Sequence, residues 1–147
     1  MYTDEQMLRE LKGLLAIRSI AGEDVTPQAP YGQGVARALA YTLDLCRRLG
    51  MQVTNRDGKV AWAEIGQGEE IVGVLGHLDT VPAGSGWTHN PGGELCGDRL
   101  YGRGVADDKG PTLAALFATT TSRPSSCRSS ASPPTRIFPP STEKRKF

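Results

Sequence analysis

Three observations predict an α/β fold. Two stretches near the N-terminus repeat apolar residues at helical spacing, and residues 51–75 divide into short strand-like runs around an Asp-Gly turn. The third is the apolar run Ile71-Val72-Gly73-Val74-Leu75, which ends in Gly76-His77-Leu78-Asp79. That run reads as a buried central strand carrying His77 and Asp79 at its carboxyl end. Open α/β sheets place their sites at this edge, because loops leaving the strand ends converge there on a rigid support.

The elements follow in order. Thr3 and Gln6 have the spacing of a capping box, and Met7, Leu8, Leu11, Leu14 and Leu15 recur as one helical face, which predicts a helix from Asp4 to about Ile17. Residues 19–30, with Gly22, Pro27 and Pro30, read as a loop whose Glu23 and Asp24 are solvated. Val35, Leu39, Leu43 and Cys46 predict a second helix over about 33–49, closed by Gly50 at its C′ position. Residues 51–55 and 60–65 then form two strands around Arg56-Asp57-Gly58-Lys59, since Asp-Gly accepts the positive φ values of a type I′ turn. Residues 70–75 follow as the central strand.

Residues 82–91 are rich in Gly, Ser and Pro. Trp87 within them is read as a packing anchor ahead of a substrate wall, and His89 as solvent-facing. Residues 93–96 and 99–101, joined by Gly97-Asp98, form a second hairpin leading to Gly102-Arg103-Gly104. The apolar stretch 112–118 predicts a last helix, with Pro111 at its first position and Asp107 just ahead of it.

Composition sets bounds on function. The 147 residues fit one domain, and 38% hydrophobic with 22% charged content is ordinary for a water-soluble protein. A net charge of +1 offers no general attraction to nucleic acid or an anionic membrane. The N-terminus lacks a secretory pattern and no apolar run has spanning length, so a cytoplasmic location is expected. Cys46, Cys96 and Cys127 are odd in number and widely spaced, which argues against a disulfide framework or a thiolate zinc site.

The chemistry centres on two stretches. His77 and Asp79, two positions apart along a strand end, fall on one face. A metal-ligating histidine needs its second nitrogen held by an acceptor, so His77 reads as a ligand and Asp79 as its orienter, although a lone His-x-Asp is more often a structural hydrogen bond. The second stretch, Gly102 to Gly110, carries Asp107 and Asp108, with Lys109 as a local ion-pair partner.

Taken together, Gly76-His77-Leu78-Asp79-Thr80-Val81-Pro82-Ala83-Gly84, Gly86-Trp87-Thr88, Leu100-Tyr101-Gly102-Arg103-Gly104 and Asp107-Asp108-Lys109-Gly110-Pro111 resemble the co-catalytic zinc peptidase family. That family includes carnosinase and Xaa-His dipeptidases, carboxypeptidase G, aminoacylases and acetylornithine deacetylase. The Asp-Asp-Lys-Gly-Pro ending and Pro30-Tyr31-Gly32-Gln33-Gly34-Val35 resemble its bacterial dipeptidase branch. The resemblance implies a mixed sheet flanked by helices, two zinc ions, His77 as a ligand, Asp107 as the carboxylate bridging both metals, and Asp79 as orienter and catalytic residue. Asp108 is the alternative bridge, otherwise placed to cap the following helix. The implied activity is hydrolysis of dipeptides, or alternatively of N-acyl amino acids, and family members often dimerise through a domain absent from this sequence. The family's Glu-Glu pair and distant histidine have no counterpart here.

The resemblance covers residues 7–118. Residues 119–147 hold twelve Ser or Thr and five Pro, and their charge of +5 leaves −4 for residues 1–118 out of the total of +1. The expected organisation is therefore a partial catalytic domain over 1–118 and a basic tail over 119–147, disordered or derived from a frameshift. Such a chain is expected to be inactive alone, because it holds about half of a site.

Overall fold

The computed structural model describes residues 2–121. Helix α1 spans Asp4–Leu15 and opens on the expected capping box, with the Thr3 hydroxyl accepting from the Gln6 amide and the Gln6 side chain accepting from the Thr3 amide. Helix α2 spans Gln33–Arg48. It closes in a Schellman arrangement: the Gly50 amide donates to the Arg47 carbonyl, the Met51 amide to the Cys46 carbonyl, and Gly50 takes φ +79°.

Strand β1 (Gln52–Arg56) pairs antiparallel with β2 (Val60–Glu64), with Thr54 opposite Trp62. Asp57 and Gly58 both take positive φ, 56° and 68°, as the type I′ turn requires. Strands β3 (Glu94–Cys96) and β4 (Arg99–Tyr101) form the second antiparallel hairpin, and helix α3 spans Lys109–Thr121.

The α/β class stands, as helices with small sheets. Among the described residues the sheet consists of two separate two-stranded hairpins. Residues 70–75 are not a strand: Val72 is 94% and Leu75 97% exposed, and no ladder holds them. A strand exists only with a partner to take its backbone groups, and the described residues supply none. Helix α3 runs three residues past Ala118, where the sequence pattern predicted a break, and begins at Lys109, so Pro111 stands third in its first turn rather than first. The rest of the tail, residues 122–147, lies outside the described residues, as does Cys127. Cys46 and Cys96 are free thiols, and no described helix is long and apolar enough to cross a membrane.

The core lies where the three helices meet: Leu14 of α1, Ala38 and Leu45 of α2 with the following Leu49, and Leu113 and Phe117 of α3. Leu78 packs against the same cluster, which connects the His77 loop to the core. At the edge of α1 and α2, Tyr41 donates to Glu10 at 2.8 Å and Arg48 grips the same carboxylate at 2.7 and 3.0 Å. Glu23 is likewise paired rather than simply solvated, 2.6 Å from Arg18.

Lys109 is the unexpected core residue. It is 1% exposed and forms no ion pair, contrary to the sequence expectation. Its Nζ donates to the carbonyls of Leu14 and Ile17, at 3.0 and 2.7 Å, at the end of α1, where the last carbonyls lack their i+4 donors and the Leu14 oxygen has only local donors such as the Ile17 amide at 3.3 Å besides. A cation at a helix C-terminus is also favoured by the helix dipole. Burial pushes the amine down from 10.5 to about 8.

Two outcomes test this packing. Leu14→Ala should cost about 3 kcal/mol in urea unfolding, in the range for a fully buried leucine, whereas Leu75→Ala should stay within about 0.5 kcal/mol. Lys109→Met should cost about 1–2 kcal/mol by stranding carbonyl acceptors. The unfolded chain holds the Lys109 proton up to its ordinary pKa while the folded chain releases it near 8, so this residue makes stability rise with pH between 8 and 10.5. That contribution should be missing from the Met variant's pH profile.

Candidate functional site

The site rests on the loop that follows α1. Ser19, fully buried, donates its hydroxyl to the Leu78 carbonyl at 2.7 Å, and the Thr80 amide donates to the Ser19 carbonyl at 2.8 Å. Ile20 and Thr80 form an isolated parallel bridge. These bonds hold residues 78–80 against the helical core and so fix the ends of the His77–Asp79 stretch.

The second stretch is brought to the first by α3. The Asp108 carboxylate accepts from the His77 amide at 3.1 Å and from the Thr112 hydroxyl at 2.9 Å. This approach needs Gly76, because a Cβ there would collide with Thr112 Oγ1 and lie within 2.9 Å of Asp108 Oδ2. Gly104 has the same kind of reason: φ is +95°, and a Cβ would press on Thr80 and Lys109. Asp108 thus joins the two stretches, while its neighbour Asp107 turns outward with its side chain 87% exposed.

His77 lies between two acidic residues. Its Nε2 is 3.1 Å from Asp107 Oδ1, and its Nδ1 is 3.2 Å from the Asp79 carbonyl oxygen and 3.3 Å from Asp79 Oδ1. Both ring nitrogens therefore face acceptors. A neutral imidazole has one N–H to donate, so one lone pair points at an oxygen unless the ring is protonated or a cation stands between. Desolvation acts to lower the His77 pKa, but the hydrogen bond to Asp107 and the charge of Asp79 outweigh it, and the net shift is upward.

The donor set fits a metal in kind and falls short in number. Zinc bonds of about 2.0–2.2 Å at tetrahedral angles put neighbouring ligand atoms roughly 3.3 Å apart, close to the Nε2 to Oδ1 separation. Yet among the described residues no group of three or more His, Cys, Asp or Glu side chains is arranged to hold an ion. Catalytic zinc takes three protein ligands and structural zinc four.

The structure brings together all three residues that the sequence singled out, His77, Asp79 and Asp107. Sequence reasoning missed the supports, Ser19 and Lys109, for which a buried polar residue next to a helix end leaves no local pattern. It also missed the contacts of His89, which is only partly exposed: its ring stacks on Tyr101 at 3.8 Å and its Nδ1 lies 3.3 Å from Glu94 Oε1. Trp87 anchors its loop by donating to the Ala83 carbonyl at 2.7 Å, with the Arg103 guanidinium 5.5 Å from its ring centre.

Comparison with known proteins gives these motifs a context. Residues 73–130 match the model of peptidase family M20/M25/M40. A Bacillus subtilis (strain 168) protein described as "Putative dipeptidase YtjP" is 41% identical over 116 residues, which are 78% of this chain and 25% of that protein. A Staphylococcus epidermidis protein described as "Putative dipeptidase" is 43% identical over 117 residues, with the same coverage. The crystal structure of human carnosine dipeptidase 1 superposes with a TM-score of 0.61 at 30% identity, over 79% of this chain and 28% of that one. The chain spans about a quarter of the length of the curated relatives it matches. Residues 73–130 are thus similar to peptidase family M20/M25/M40, and the dipeptidase-like relatives align over 78% of this chain.

Proposed function

We propose that this chain carries part of a zinc-dependent dipeptidase site, with His77 and Asp107 as metal ligands and Asp79 as the residue that orients His77. One observation carries the reading: His77 presents Nε2 to Asp107 while Nδ1 is held by Asp79, the relation a ligating histidine has to its ligand neighbour and its support. The relatives described as dipeptidases support the substrate class. Hydrolysis of N-acyl amino acids is the alternative within the same family.

Bound zinc would polarise the scissile carbonyl and acidify a water. This chain's own part is to hold the ligands: Asp107 offers a carboxylate whose two oxygens suit a pair of ions, and Asp79 fixes the tautomer and direction of the His77 ring. Asp108 fixes the backbone under His77 and is engaged in that task. Among the described residues no carboxylate beyond these is placed to take a proton from a metal-bound water, so they hold about half of the machinery. A cytoplasmic setting and a small peptide substrate complete the proposal.

Zinc titration by calorimetry should find weak binding to the 147-residue chain, abolished by His77→Ala and by Asp107→Ala. Asp79→Asn should weaken it about 10-fold or more, as loss of a ligand's hydrogen-bond partner does. Zinc binding that neither ligand substitution alters would remove the assignment. With an unblocked dipeptide and excess zinc, the chain should give no turnover above the background rate; zinc-dependent turnover that disappears in His77→Ala would show a complete site.

A further inference from the structure

The helical threonines Thr42, Thr119 and Thr120 behave alike. Thr42 donates its hydroxyl to the Ala38 carbonyl at 2.9 Å, Thr119 to that of Ala115 at 2.8 Å and Thr120 to that of Phe117 at 2.7 Å, the local bond back onto the preceding turn that helical threonines commonly make. Thr112 does otherwise. Its amide bonds the Asp108 carbonyl at 2.9 Å, while its hydroxyl donates to Oδ2 of the Asp108 side chain, also at 2.9 Å. The same oxygen accepts from the His77 amide at 3.1 Å. Two donors, one on α3 and one on the His77 loop, thus converge on a single carboxylate oxygen.

That oxygen holds His77 from its N-terminal side. On the other side Ser19 bonds the Leu78 carbonyl and the Thr80 amide. Residues 70–75 belong to no ladder, so the Asp108 bond is the first hold on the chain as it enters the site. Thr112 also stands where a Cβ on Gly76 would fall, so the loop reaches Asp108 by passing directly over the threonine. An aspartate side chain has several staggered positions, and charge-assisted bonds from two directions select one of them.

We propose that Thr112, which lies outside the motif residues, is a positioning residue for His77. It acts through Asp108: the hydroxyl holds the carboxylate under the His77 amide, and the amide so held sets the imidazole between Asp79 and Asp107. The consequence for zinc rests on the metal reading above, whereas the hold on the His77 backbone does not.

The test compares Thr112→Val, which keeps the side chain's shape and removes the donor, with Thr112→Ser, which keeps the donor. NMR of the isotope-labelled, metal-free 147-residue chain follows the His77 amide. In Thr112→Val this amide should exchange with solvent about 10-fold faster, as loss of a bond to a charged acceptor implies, and in Thr112→Ser it should stay within about 2-fold of wild type. Zinc titration should find binding about 10-fold weaker in Thr112→Val and close to wild type in Thr112→Ser. In an Asp108→Ala background Thr112→Val should change neither quantity, because the two residues act in series. Circular dichroism of the helices reports loss of folding separately. An unchanged His77 amide in Thr112→Val, a serine variant no better than the valine variant, or an undiminished effect in the Asp108→Ala background would each overturn the proposal. So would a zinc affinity that His77→Ala abolishes and Thr112→Val leaves untouched. Zinc binding indifferent to His77→Ala would remove the metal reading alone, since the amide result is obtained without metal.

Discussion

The fold depends on one buried ammonium. Lys109 reaches from the start of α3 to the end of α1 and donates to the Leu14 and Ile17 carbonyls, and among the described residues no other charged side chain is buried. Without it, the Ile17 carbonyl would lose its 2.7 Å bond and the Leu14 carbonyl would keep only local backbone donors such as the Ile17 amide at 3.3 Å. With it, the segment carrying Asp107 and Asp108 is tied to the helix whose following loop, through Ser19, holds Leu78 and Thr80. One side chain thus fixes the distance between the two stretches that meet at His77. The amine's pKa falls because of burial, so the geometry is maintained against a desolvation cost.

Much of this was legible in the sequence, for a local reason. The Thr3–Gln6 capping box, the Gly50 closure of α2, the Asp57-Gly58 turn and both hairpins depend on residues within a few positions of one another, and all four appear in the structure. What could not be read depends on distant partners. Residues 70–75 have the composition of a central strand, but pairing is a property of two segments, and the described residues contain only one of them. Lys109 read as an ion-pair partner because the pattern puts acids beside it, whereas its partners lie more than ninety positions away. The contacts of His89 were missed because its ring partner, Tyr101, lies on the following hairpin.

The site shows the same division. His77, Asp79 and Asp107 were identifiable from their spacing and from the family motif, and they do converge. Convergence is not sufficiency: a metal ion bound by an imidazole and a carboxylate retains most of its shell as water, and the described residues add no third donor. The approach of His77 to Asp107 is held locally by Asp108, Ser19 and the helical core, in a chain that matches a quarter of its relatives' length.

X-ray absorption at the zinc edge would test this most directly, because it counts the neighbours of the metal. The zinc-loaded chain should show a single imidazole in a shell dominated by oxygen, with no zinc–zinc scattering. A second metal at about 3.5–4 Å, or several imidazoles per zinc, would mean that a complete two-metal centre assembles in this chain and would contradict the account of a half-built site.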